Sequence, residues 1–176
     1  MKLLCVFILP FSYIYIVSTA KWYSDRPEPT NLQAYYPIYK QGMRTFKLLK
    51  SEDELNRLMA TNQYFTLVDK ILVAKEKRDP NCRFLSPIHE LYNEKYDKYI
   101  YMLKDEDIES YTLYEWKDNG IIGYGVIAKF DCRADLVVTH HYHEDRFNDS
   151  SFIVEHSDYA RFRNYYDLGT LFACWK

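Results

Sequence analysis

The chain has 176 residues, 23 of them Lys or Arg and 25 Asp or Glu, giving a net charge of −2. Such a length fits one domain with a real core and is short for two. The balanced charge speaks against nucleic acid as the main partner, since phosphate binding needs a basic surface.

Lys2 precedes an apolar run from Leu3 to Val17 that ends in Ser18-Thr19-Ala20. That pattern predicts a secretory signal peptide over residues 1–20, cleaved after Ala20. The run is shorter than the roughly 20 residues that span a bilayer, and Pro10 and Ser12 interrupt it. No later segment is apolar enough to hold the chain in a membrane, so the expectation is an extracellular protein with no membrane partner. Residues 21–50 form the next division. Pro27, Pro29 and Pro37 among polar residues and tyrosines read as an extended segment laid over the domain without regular structure. Met43 to Leu49 reads as a short strand or the entry to a helix. Residues 51–176 then form the main domain. Ser51-Glu52-Asp53-Glu54 has the spacing of a capping box, and Leu55, Leu58 and Met59 continue it as a short helix ending near Ala60.

From Tyr64 the period changes to that of strands. They are expected at Tyr64–Lys75, Arg83–Tyr92, Lys95–Lys104, Glu109–Lys117, Ile121–Phe130, Ala134–Tyr142, Ser151–Arg161 and Thr170–Trp175. The intervening Asp/Asn/Gly/Pro clusters supply turns, and Asn119-Gly120 reads as a hairpin turn. Asn148-Asp149-Ser150 is a glycosylation sequon. Strands with short connections must pair antiparallel, and closure removes the free edges. The predicted fold is all-β: an eight-stranded antiparallel up-and-down barrel with a short N-terminal helix, with a β-sandwich as the alternative.

Tyrosine, at 18 residues against 5 glycines, suits strands, pocket walls and binding surfaces alike. Alternation along strands puts Tyr99 and Tyr101 on one face, Tyr114 and Trp116 on another, and Tyr124 with Phe130 on a third. Tyr101, Trp116, Tyr124 and Phe130 are therefore expected to line the interior, either as the walls of a ligand pocket or as filling of a closed core. Asp69 sits among Phe65, Leu67, Ile71 and Val73. A carboxylate there needs a partner: a cationic ligand, an internal base, or solvent on an outward face. His140, His141 and His143 read as a surface patch, because two imidazoles on one side do not complete a metal site. Cys5 leaves with the leader, so Cys82, Cys132 and Cys174 remain, one disulfide and one odd thiol with the pairing open. No nucleophile elbow, zincin motif or phosphate loop is present, and neither an enzyme nor a cofactor is expected.

Phe65-Thr66-Leu67-Val68, then Glu76-Lys77-Arg78-Asp79-Pro80 and Cys82, resemble the first barrel strand and turn of tick salivary lipocalins, the histamine-binding-protein-like family. Asn164-Tyr165-Tyr166-Asp167 with Gly169 and Cys174 is similar to their late hairpin. The resemblance implies a secreted barrel that sequesters a small host mediator, a biogenic amine, an eicosanoid or a fatty acid. In this chain Cys174 is followed only by Trp175-Lys176, whereas the family's amine binders continue through Glu-Leu-Trp to a further cysteine. The family's C-terminal helix is absent from this stretch, and amine binding does not carry over by motif. The alternative is a packed barrel that engages a host protein through Tyr23, Tyr35, Tyr36 and Tyr39; on that reading residues 21–40 are dispensable for the fold.

Overall fold

The computed structural model describes residues 27–40, 46–103, 105–143, 148–154 and 166–176, with the backbone alone at 105–107, 140–143, 148–154 and 166–168. The leader and Tyr23 lie outside these residues. The fold is mostly β and antiparallel. Ten strands are seen among the described residues: β1 (Leu32–Lys40), β2 (Phe46–Leu49), β3 (Tyr64–Phe65), β4 (Ile71–Ala74), β5 (Ser86–Asn93), β6 (Lys98–Met102), β7 (Lys117–Gly125), β8 (Leu136–His143), β9 (Asn148–Val154) and β10 (Tyr166–Cys174). Two α-helices, α1 (Glu52–Met59) and α2 (Asp105–Leu113), and a 3-10 turn at Asp131–Arg133 join them.

The segment expected to lack regular structure holds β1, which lies inside the main sheet between β2 and β4. Pro37 is tolerated there for a positional reason. Tyr35 pairs with Ile71 and Tyr39 with Phe65, so Pro37 falls between the ends of β4 and β3. On its other side it faces Leu48, whose N–H donates to Tyr101 Oη rather than to β1. A residue without an N–H therefore interrupts no ladder bond. Tyr35 and Tyr39 are both 1% exposed, which removes them from any surface role and makes Leu32–Lys40 part of the fold.

α1 forms where the capping box places it, and Ser51 Oγ accepts from the Glu54 N–H. Its Leu55, Leu58 and Met59 are half-buried, and the helix packs against β1, β2 and β3. The strand expected over Glu109–Lys117 is instead α2. Ile108 and Tyr111, one turn apart, pack on Leu91, Ile100 and Met102 of the sheet. Asn119-Gly120 makes no hairpin either. It lies within β7, where the register against β5 slips twice and Gly120 takes φ +97°. An unpaired residue with a glycine at positive φ is the signature of a bulge, which bends the strand.

The sheet order is β2-β1-β4-β7-β5-β6, with β3 beside β1, while β10, β8 and β9 form a second sheet. Sequence neighbours are therefore not always spatial neighbours, as an up-and-down meander requires: β4 and β5 both pair with β7. Among the described residues the hydrogen-bonded path does not return from β6 to β2, and no closed barrel is found. Two isolated bridges, Leu72 with Trp175 and Val126 with Ala173, stitch the second sheet to the first. The core fills the space between, with Tyr35, Phe46, Ile71, Ile88, Tyr101, Phe172 and Trp175 each 1% exposed or less.

Gly125 marks the tightest crossing of this stitch. A Cβ there would meet the Ala173 carbonyl oxygen at 2.9 Å and Ile88 Cδ1 at 3.2 Å. Gly125→Ala is expected to cost about 1–3 kcal/mol through overpacking, read as a lowered urea midpoint with an unchanged slope; an unchanged midpoint would show that the strands can part freely.

Candidate functional site

The residues singled out by the sequence do not converge on one site. Asp69 is exposed, because the continuous strand expected over Tyr64–Lys75 breaks into β3 and β4 and leaves it in the loop between. Phe130 is 60% exposed with the Lys129 ammonium 5.2 Å from its ring centroid. Trp116 packs edge-on against Tyr111 in the smaller cluster beneath α2. Tyr124 is half-buried against the main core. Only Tyr101 is wholly inside, at 0% exposure.

Tyr101 leads to an arrangement that no spacing rule suggested. It stands opposite Glu90 across the β5–β6 pair, and Tyr92 stands opposite Tyr99 one step along the same face. The Tyr101 hydroxyl donates to Glu90 Oε2 at 3.0 Å and accepts the Leu48 N–H at 2.9 Å. It thus links β6 to β5 and spans the gap from β6 to β2. Asn119 Nδ2 donates to Glu90 Oε1 at 3.1 Å, brought there by the β7 bulge. The Tyr99 and Tyr92 rings meet at a tilt, with centroids 4.6 Å apart, and the Lys47 ammonium lies 5.0 Å over Tyr99. Close by, Tyr35 donates to the Ile122 carbonyl and accepts from Gln33 Nε2.

Glu90 is half-buried. An ionised carboxylate offers about four acceptor positions, and the two bonds from Tyr101 and Asn119 leave capacity for further donors. Its charge is felt by the phenols around it. Burial, reinforced by Glu90, pushes Tyr35 up to about 12. The same two causes, in the same order, raise Tyr99 and hold Tyr101 well above the ordinary tyrosine range. A phenol raised in the folded state but ordinary in the unfolded one is a source of stability below pH 10. That stability is lost as pH rises through the folded value. Unfolding by urea is therefore expected to become easier from about pH 10 upward, and an absorbance titration at 295 nm should show a lagging class of tyrosines. Removing Glu90 as Glu90→Gln should advance that class; a single unshifted titration would contradict this environment.

Cys82 and Cys132 form a disulfide, which resolves the pairing left open by the sequence, and Cys174 is a buried free thiol that burial pushes far up. Among the described residues no group of His, Cys, Asp or Glu is arranged to hold a metal ion, and no helix is long and apolar enough to cross a membrane. The side chains of His140, His141, His143 and Asn148 lie outside the described residues. The backbone places the sequon at the start of β9. Glu90 was legible in one respect, because Ile88, Glu90 and Tyr92 alternate on a single strand face. No family model, curated protein or solved structure matches the chain.

Proposed function

We propose that this is a secreted, lipocalin-like binding protein that sequesters a small cationic mediator of the biogenic-amine class. One observation carries the choice of ligand: Glu90, a half-buried carboxylate that accepts from Tyr101 and Asn119, beside the tilted pair of Tyr92 and Tyr99 rings. A carboxylate supplies the counter-charge for an ammonium, and tyrosine faces add cation–π attraction. The Lys47 ammonium, 5.0 Å over the Tyr99 ring, is a resident cation on that face, and a guest ammonium must displace it. Glu90 here takes the part assigned to Asp69 by the sequence. The leader pattern, the sequon and the Cys82–Cys132 disulfide support an extracellular setting. The sequence resemblance to tick salivary lipocalins supports the lipocalin-like form. The mechanism is capture without chemistry, with no cofactor.

A second reading has its own observation. Tyr101 is fully buried with its hydroxyl engaged on both sides, and aromatic side chains fill the core around it. A shut interior favours a protein-interaction module acting on a host protein through its surface. Native mass spectrometry of the secreted protein with a mixture of amines, fatty acids and eicosanoids separates the two. The expected result is a one-to-one amine adduct that Glu90→Gln weakens by at least about tenfold, the scale of one lost charge-assisted hydrogen bond. An adduct with carboxylic acids alone, or none with a folded protein, overturns amine capture.

A further inference from the structure

A groove of about 440 Å³ lies at the disulfide, lined by Lys77, Arg78, Asp79, Pro80, Cys82 and Arg83. Its three cationic side chains are exposed, and among the described residues none of them forms an ion pair. The one carboxylate in the groove is already engaged. Asp79 Oδ2 accepts the Thr30 N–H at 2.8 Å and the Thr30 hydroxyl at 2.7 Å, and Oδ1 accepts the Asn81 N–H at 2.8 Å. Burial alone would raise the Asp79 carboxyl, but these bonds outweigh it and hold the group below its ordinary value. Asp79 therefore shapes the loop and leaves the cations facing outward. Three bases against one committed acid make the groove positive on a chain whose net charge is −2.

The disulfide adds a second loop to this surface. It draws the segment around Cys132 against Cys82, with Cα atoms 5.6 Å apart. That segment brings Lys129, exposed Arg133 and the 60%-exposed ring of Phe130. Phe130, Cys132 and Arg133 all hold positive φ, at 75°, 47° and 61°. Each is a costly conformation for a residue with a side chain, and the covalent bond to Cys82 helps to hold it. The groove itself is walled by Lys77, Arg78 and Arg83, and the disulfide ties to it a loop that carries Asp131, a further exposed cation in Arg133 and an exposed apolar ring in Phe130.

We infer that this groove binds a sulfated glycan. Its open form admits a chain passing through, as a polymer requires, and its volume is that of a small-ligand site. Lys77, Arg78 and Arg83 offer donors to sulfate oxygens. Phe130 presents a flat apolar face for the C–H side of a pyranose ring. The run Lys75-Glu76-Lys77-Arg78 supplies the local density of base that polyanion patches use. This site is separate from Glu90 and stands or falls without it.

The test is calorimetric titration of the full secreted chain with a heparin hexasaccharide. Binding is expected at about 0.1 M NaCl and should weaken steeply toward 0.5 M, because exposed charges are screened. The triple variant K77E/R78E/R83E should weaken it at least tenfold, while K50E/K70E/K117E, an equal change of net charge at exposed lysines elsewhere, should leave it within about twofold. Phe130→Ser should weaken binding several-fold without altering the salt dependence. Thermal midpoints of all variants establish that they fold. Equal losses in the two triple variants, equal binding of fully desulfated heparin, or no binding at all overturns the assignment. So does adsorption to phosphatidylserine vesicles with no affinity for the hexasaccharide.

Discussion

Replacing Cys82 by alanine is expected to remove about 4 kcal/mol of stability, the chain-entropy value for a bond closing a loop of this size. The two cysteines are 50 residues apart in sequence, and their bond ties the β4–β5 connection to the β7–β8 connection. For a chain of this length such a loss lowers the thermal midpoint by roughly 10 °C. Cys132→Ala should match it, because the two residues act as one bond. Cys174→Ala should differ, costing on the order of 1 kcal/mol for a few buried atoms. The measurement is thermal unfolding of all three variants without reductant. Peptide mapping after alkylation of the denatured protein should find Cys174 alone modified. A large loss in Cys174→Ala with little in Cys132→Ala would mean that the bond joins other partners.

Trp175→Ala is expected to be comparably damaging, at about 3–5 kcal/mol for truncating a large buried aromatic. Trp175 is 1% exposed and holds three things together. Its ring fills the core between the sheets. Its backbone exchanges both hydrogen bonds with Leu72, at 2.7 and 3.1 Å. Its Nε1–H donates to the Cys132 carbonyl at 2.7 Å, which secures the loop carrying the disulfide. Trp175→Phe isolates that last bond, since it keeps most of the apolar volume. It leaves a buried carbonyl without its donor, at a cost of about 1–3 kcal/mol. Urea unfolding of the two variants gives the division. A Phe variant as unstable as the Ala variant would move the main contribution from packing to the loop.

What the sequence made legible was local. α1 needs only Ser51, Glu54 and an apolar stripe, all within ten residues, and it forms as expected. The antiparallel β character follows from alternation and short connections in the same way. The errors came where a distant partner decides. Pro27, Pro29 and Pro37 are breakers by composition, yet β1 forms because Pro37 sits where neither β3 nor β4 pairs with it. The segment from Glu109 alternates well enough for a strand, but Ile108 and Tyr111 find an apolar surface only when the chain winds as α2. Asn119-Gly120 has the composition of a turn and serves as a bulge, since β5 continues past it on the same side. Asp69 reads as a core carboxylate only if Tyr64–Lys75 is one unbroken strand, and the break between β3 and β4 puts it in solvent. Glu90 is the acid that the fold surrounds with tyrosine, and its tyrosine partners Tyr35, Tyr99 and Tyr101 come from other strands, beyond the reach of local alternation.

The stitch between the sheets also dictates when this molecule can finish folding. The β5–β6 hairpin and the β1–β2 pair join residues close in sequence and need little chain to be in place. The bridges from Leu72 to Trp175 and from Val126 to Ala173 join segments far apart along the chain. Contacts of large sequence separation require loop closure before they yield any stabilisation, which slows folding toward milliseconds or longer. While β10 is undocked, Val126, Leu72 and the inner face of the first sheet stand uncovered. Assembly of this chain is therefore gated by β10, and the interval before that strand docks is when aggregation competes most strongly.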